Sequence, residues 1–308
     1  MLQRIALPAY CCSSMVYPLC NKGLSIVFYP MPKSFEEPME SEISLVCDAI
    51  RDADAVLVMD YFGFVRTFAL QVARSAHRLG KKIVLDVTQT AFSRLPTYSL
   101  ADYVLVSYRK WPDLLCAIVY SKDKFSLSFS SVTYDEYVHD WRKAATLKKQ
   151  YLNQEISDKA EFLQLYDRAN SLLAENYKGF TATNDDIAQL NSIHTKSLIN
   201  QRRNNAHHLI DTIKSLNLPN VQLMFDHLGD NDCPLFVPIL VNEQSRDAIR
   251  RRLIDKSIYC PAHWPIDETY PYYQTQYHNC EISLICDQRY DIEDMNREIE
   301  ELIIALSE

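Results

Sequence analysis

Six short apolar runs alternate with helix-length amphipathic stretches over the first 120 residues, and that alternation restricts the fold more than any other feature. The runs are Arg4–Pro8, Leu24–Tyr29, Ala55–Asp60, Lys82–Asp86, Tyr103–Ser107 and Cys116–Tyr120. Between them, Glu40–Arg51 and Thr67–Leu79 carry apolar residues at helical spacing, and Ser13–Cys20 reads as a turn or short helix. Gly80, directly after Arg78-Leu79, reads as a helix C-cap. Strands that alternate with helices predict an α/β fold, a three-layer, mostly parallel sheet with both faces covered.

The pattern changes after residue 133. Tyr134 to Tyr177 is helical and heavily charged, and a second long helix is expected from Asp186 to Leu216 with Asn184-Asp185-Asp186 as caps. Beyond Pro219-Asn220 a smaller α+β unit follows. Its expected strands are Val221–Phe225, Leu235–Val241 and Glu281–Cys286, and its helices Ser245–Lys256 and Ile292–Leu306. The division this implies is a large domain over 1–183, then a bridging helix and small C-terminal domain over 184–308.

Composition excludes several function classes. With 308 residues, 47% of them hydrophobic and 23% charged, the chain can bury a sizeable core. A net charge of −8 argues against a nucleic-acid partner, which needs a basic face. No apolar run approaches a membrane span and the N-terminus lacks a signal-peptide layout, so a cytoplasmic location is expected. None of the nine cysteines falls in a CxxC pair, which predicts reduced thiols and no metal. His207-His208 point about 100° apart on a helix and cannot share one ion. Arg250-Arg251-Arg252 reads as a solvated helix face, and the tyrosines of 270–277 as an interface or a substrate rim. There are five glycines where about twenty would be usual, and no GxGxxG or GxxxxGK[ST], which argues against Rossmann and P-loop nucleotide binding.

Two consecutive strands deliver polar groups to the edge where parallel sheets hold ligands. Lys82–Asp86 runs on to Gln89, and Tyr103–Ser107 runs on to Arg109 and Lys110. A lysine amine condenses with an aldehyde only when neutral, which a neighbouring cation such as Arg109 would favour. A strand-end aspartate can hold a pyridinium nitrogen protonated, the role a carboxylate plays in pyridoxal-phosphate sites. Gln89 could donate to the ring's phenolic oxygen and Ser107 could bind phosphate oxygens. Taken singly, such residues are more often helix caps or solvated charges. Their joint placement is what points to a cofactor.

The segments LPAYCCSS, VLVMDYFGF, KKIVLDVTQTAFSR, ADYVLVSYRKW, INQRRNNAHHL, IYCPAHWPI and ISLICDQRYDIEDM occur in this order along nearly the whole chain. Together they resemble the DegT/DnrJ/EryC1/StrS family, fold-type I pyridoxal-phosphate enzymes that aminate nucleotide-linked keto-sugars. The resemblance implies Lys110 as the lysine that bonds the cofactor, Asp86 as the pyridinium partner, Gln89 as the amide near the ring hydroxyl and Ser107 as a phosphate contact. It also implies Cys12, with Tyr10 nearby, against the ring. Arg289 would lie near the cleft as a clamp for the amino donor's carboxylate, or else be a structural partner of Asp287 or Asp291. His263 and Trp264 would line a sugar or nucleotide pocket, or else be interface packing.

The same resemblance implies a homodimer and small-molecule substrates, an amino donor and a keto-sugar nucleotide used in polysaccharide or antibiotic-sugar biosynthesis. The family's small-residue phosphate loop precedes the LPAY segment, so the chain is expected to be a truncated copy. The alternative is a decayed, non-catalytic member kept as an interaction module. Dehydration of a deoxysugar is a third reading, against which Lys110 counts because that chemistry replaces the lysine with histidine.

Overall fold

A computed structural model describes residues 2–111, 114–123, 133–175, 180–265 and 275–307. The first 106 residues build the expected alternation. The strands are β1 (Arg4–Pro8), β2 (Ser25–Tyr29), β3 (Ala55–Met59), β4 (Lys82–Asp86), β5 (Tyr103–Ser107) and, after a gap, β6 (Ala117–Ser121). The helices are α1 (Ser13–Asn21), α2 (Glu40–Ile50) and α3 (Thr67–Arg78). Each of these six strands lies within a residue of its expected span because each is a short β-branched or leucine-rich run bounded by polar residues. Gly80 follows α3 at φ +66°, the left-handed position at which a helix stop favours glycine.

The sheet order is β2-β1-β3-β4-β5-β6, and β1/β2, β1/β3, β3/β4 and β4/β5 are all parallel. The order reverses at β1, so the crevice between the carboxyl ends of β1 and β3 is a topological switch point. All five residues of β3 are buried, which requires a layer on each face. On one face Ile5, Leu7, Ala55 and Leu57 meet Val16, Met15 and Leu19 of α1, as the two-residue period of the strands dictates. The helix α3 packs on β3 and β4 through Phe68, Ala69, Val72, Ala73 and Ala76. Three alanines on that stripe let it approach closely.

The chain folds as two units. The first comprises Met1–Val106, Val119–Lys122 and His194–Glu308. Its second half contributes α7 (Thr195–Leu216), a three-stranded antiparallel sheet in the order β7 (Gln222–Leu223), β8 (Phe236–Leu240), β9 (Glu281–Ile285), and α8 (Glu243–Asp255) and α9 (Ile292–Ser307). The second unit comprises Ser107–Ile118 and Asp123–Ile193, with α4 (Asp135–Leu152), α5 (Ala160–Glu175) and α6 (Asn184–Ser192). The helices α4 and α5 form an antiparallel hairpin. Glu136 pairs with Arg168 while Lys143 pairs with Glu161, so partners approach along one chain as they recede along the other.

Three expectations need correction. The single helix expected over Asp186–Leu216 is two helices, broken at Ile193-His194. The cap is Thr183, whose hydroxyl accepts the Asp186 N–H, and not the Asn184–Asp186 run. The Arg250–Arg252 run is not merely solvated: Arg250 donates to the Cys260 carbonyl and Arg252 to the Ala305 carbonyl, tying α8 to its neighbours. The nine cysteines are free thiols, and among the described residues no cluster of metal-ligating side chains occurs. Tyr270, Tyr272 and Tyr273 lie outside the described residues, whereas Tyr277 is buried with its hydroxyl donated to the Pro32 carbonyl.

The turn after β3 joins the two halves of the first unit. Phe62 and Gly63 both adopt positive φ, +56° and +90°. This conformation lets Gly63 accept the Cys233 N–H and Phe62 accept the Leu235 N–H at 2.7 Å. Ser93 donates to the Gly63 carbonyl at 2.8 Å and accepts from the Cys233 N–H. A Cβ at Gly63 would sit 2.0 Å from the Cys233 oxygen. Combined with the unfavourable φ, Gly63→Ala is expected to destabilise the protein by roughly 2–5 kcal/mol. Urea unfolding followed by fluorescence measures this, and a loss within experimental error would contradict the backbone contact.

Candidate active site

The carboxyl ends of β1, β3 and β4 lie along one edge because the three strands are parallel. At the switch point the crevice is filled by the protein's own rings. Tyr10, wholly buried, stacks on Tyr61 at 5.5 Å and meets Trp264 edge-on at 5.0 Å and Tyr277 at 5.3 Å. Its hydroxyl donates to the His263 carbonyl, and the Tyr61 hydroxyl donates to the Tyr10 carbonyl, both at 2.7 Å. Burial pushes both phenols well above their ordinary range, so they stay neutral donors. Cys12 caps α1 without a side-chain cap bond to the helix. It is half-buried, 2.9 Å from the Ser14 hydroxyl.

One strand further along, β4 delivers the polar groups. Asp86 is half-buried and accepts the Thr88 N–H at 2.8 Å. Gln89 is 2% exposed, and its Oε1 accepts the Phe62 N–H at 2.8 Å. That bond fixes which way the amide faces. Its Nε2 has no hydrogen-bond partner among the described residues. A buried amide with two unspent donors costs about 1–3 kcal/mol, which is tolerated where a ligand later takes the bond.

In the second unit, Lys110 is exposed at the end of a single 3-10 turn, Tyr108–Lys110. The turn closes through the Trp111 N–H to the Tyr108 carbonyl, the Tyr108 N–H donates to the Cys116 carbonyl, and the Leu115 N–H is held by buried Asp186 of α6. Arg109 stacks over Trp141 at 5.3 Å, so its charge is engaged with α4. Ser107, half-buried, ends β5 immediately before this turn.

In the C-terminal part of the first unit, Arg289 forms a bidentate pair with Asp287, Nε to Oδ1 at 3.0 Å and a terminal nitrogen to Oδ2 at 2.6 Å. This is the structural arrangement that the sequence left open beside the clamp. Desolvation raises the Asp287 carboxyl, but Arg289 outweighs it and holds the group below the usual carboxylate range. The INQRRNNAHHL segment supports the same loop. Buried Arg202 donates to the Gln288 side chain and to the Pro234 and Leu235 carbonyls, and Asn205 donates to the Asp287 and Tyr290 carbonyls. His263 and Trp264 are both buried, the imidazole 5.2 Å from the Phe62 ring.

Sequence reasoning passed over Asp60, which closes an otherwise apolar strand and is 3% exposed. Its Oδ1 accepts the Arg66 N–H, and Arg66 in turn pairs with buried Asp232 at 2.8 Å. Glu281 and Ser283, wholly buried on β9, were likewise missed. The signal for both was a charged or hydroxyl residue breaking an apolar run.

The fold, with its mostly parallel sheet and covered faces, is like that of solved aminotransferases. Three solved structures illustrate the likeness. NtdA from Bacillus subtilis, with the cofactor PMP bound, is 14% identical, with a TM-score of 0.66 over 99% of this chain and 68% of its own. DesI, in the presence of its TDP-sugar product, is 14% identical, with a TM-score of 0.66 over 99% of this chain and 75% of its own. A DegT DnrJ EryC1 StrS aminotransferase from Brucella abortus is 12% identical, with a TM-score of 0.61 over 99% of this chain and 80% of its own. No family model matches the sequence, and the comparison with curated proteins found no match. Among the described residues no helix is long and apolar enough to cross a membrane.

Burial pushes the Asp60 carboxyl up to about 7 despite the Arg66 N–H and charge. Folded Asp60 therefore keeps a proton that the unfolded chain releases near pH 4, so this group's contribution to stability falls as pH rises from about 4 to about 7. Buried Glu298, also about 7 through desolvation, acts in the same sense. Asp60→Asn is expected to weaken the decline in Tm across this window relative to wild type. Parallel pH dependence in the two proteins, measured by calorimetry, would refute it.

Proposed function

We propose that this chain is a pyridoxal-phosphate-dependent aminotransferase that moves an amino group from an amino acid to a nucleotide-linked keto-sugar. The observation that carries the reading is the Gln89 amide, locked by Phe62 with its donors unspent, three residues beyond the Asp86 carboxylate at the sheet edge. These groups fit the two polar positions of a pyridoxal ring, the phenolic oxygen and the pyridine nitrogen. Likeness in fold to NtdA with PMP bound, to DesI in the presence of its TDP-sugar product and to the sugar aminotransferase CalS13 supports the cofactor and the substrate class.

When bound, the cofactor would supply an electron sink for breaking the C–H bond next to nitrogen. Lys110 would hold it and then take and return the proton. Asp86 would pair with the ring nitrogen and keep it protonated. Ser107 would bind phosphate oxygens, and Cys12 would bound the ring face, whereas Tyr10, wholly buried among other rings, would support that segment from within. His263 and Trp264 would meet the sugar, and Arg289 the donor's carboxylate when it exchanges Asp287 for it. In this reading residues 1–183 are the cofactor domain, 184–308 the two bridging helices and small domain, and the working form is a cytoplasmic homodimer.

Adding pyridoxal phosphate should produce a visible absorption band, and borohydride reduction should leave a pyridoxyl group on the peptide carrying Lys110. Lys110→Ala should abolish both. A wild type with no band, or a variant that keeps the label, would end the assignment. Binding with no amino transfer from any amino acid would favour a non-catalytic relative.

A further inference from the structure

We propose that Glu281, Ser283 and His263 form a buried relay that fixes His263 with its proton on Nδ1 and offers Nε2 as a hydrogen-bond acceptor to a sugar hydroxyl. The sugar part rests on the reading above, whereas the relay stands on geometry alone. Glu281 is wholly buried at the start of β9, and its Oε2 accepts the His263 N–H at 2.6 Å. Ser283, two residues on and on the same face, donates its hydroxyl to Glu281 Oε1. A serine has one proton to give. With that proton committed to the carboxylate, the 2.9 Å contact between Ser283 Oγ and His263 Nδ1 must be donated by the imidazole. The Glu281 carboxylate, 3.7 Å from Nδ1, favours a proton on the same nitrogen.

The main chain of His263 is pinned from both sides, its N–H by Glu281 and its carbonyl by the Tyr10 hydroxyl. Only Nε2 is left, and it makes no hydrogen bond among the described residues. Of the rings around it, Phe62 at 5.2 Å and Phe236 at 5.4 Å carry no polar group, and Trp264, edge-on at 5.2 Å, makes no hydrogen bond to it. Phe62 is also the residue whose N–H locks Gln89, so the imidazole and the candidate cofactor amide share one neighbour. A bare, oriented acceptor there selects a ligand that presents a donor, and a sugar hydroxyl is such a group. Glu281 and Ser283 are positioning residues, acting through the tautomer they impose.

Side-chain 15N–1H correlation spectra of the 308-residue chain read the tautomer directly, with His263→Gln assigning the signal. Wild type should show a protonated Nδ1 and a bare Nε2. Ser283→Ala should shift the population severalfold toward the Nε2-protonated form, and Ser283→Thr should restore it. TDP-glucose or UDP-glucose should then move the Nε2 resonance in wild type. An Nε2-protonated imidazole in wild type, or a tautomer unchanged in Ser283→Ala, overturns the relay. A correct tautomer that neither sugar nucleotide perturbs overturns its role as acceptor. Absence of the pyridoxal-phosphate band in the same samples bears instead on Lys110 and leaves the tautomer result standing.

Discussion

The backbone contact between Gly63 and Cys233 is the constraint on which the first unit depends. It brings the turn after β3 within hydrogen-bonding distance of the segment that leads into β8. No side chain fits in that gap, so the approach is available only to glycine. Several polar groups of the first unit meet at the same turn. Asp60 and Arg66 flank it, Phe62 locks the Gln89 amide, and the Phe62 ring walls the His263 imidazole. Ser93 and Arg66 reinforce the contact, the first through the Gly63 carbonyl and the second through buried Asp232. Side chains anchored to one turn inherit that turn's rigidity.

Much of this architecture was legible in the residues, and the reason is local. Each strand of the large sheet is a self-contained apolar run with polar ends, so its limits follow from short-range pattern. The break at Ile193-His194 was not legible, since neither glycine nor proline marks it. The Arg289–Asp287 pair was open to either reading because a two-residue spacing permits the contact without requiring it. Arg202 stood in a recognisable block, yet nothing in its neighbours announces that a guanidinium would be buried against carbonyls 32 and 33 positions away.

The candidate site divides along the same line. Asp86, Gln89, Ser107 and Lys110 could be named because successive strand ends carry them. The relay on β9 could not, because its meaning lies in contacts between Glu281, Ser283 and a histidine that precedes them by 18 and 20 residues. Tyr10 illustrates a further limit. The sequence marks it as an aromatic near the cofactor segment, whereas its packing among Tyr61, Trp264 and Tyr277 shows a ring wholly enclosed by others.

The discontinuity of the first unit has a consequence for biogenesis. Residue 63 leaves the ribosome 170 positions before its partner at 233, a wait of roughly 10–30 s at ordinary elongation rates. Throughout that interval the half-built sheet exposes rings that only the late-arriving tail can cover. Nascent chains of this kind are natural clients for holding factors, and synthesis speed, more than final stability, would govern how many reach the native state.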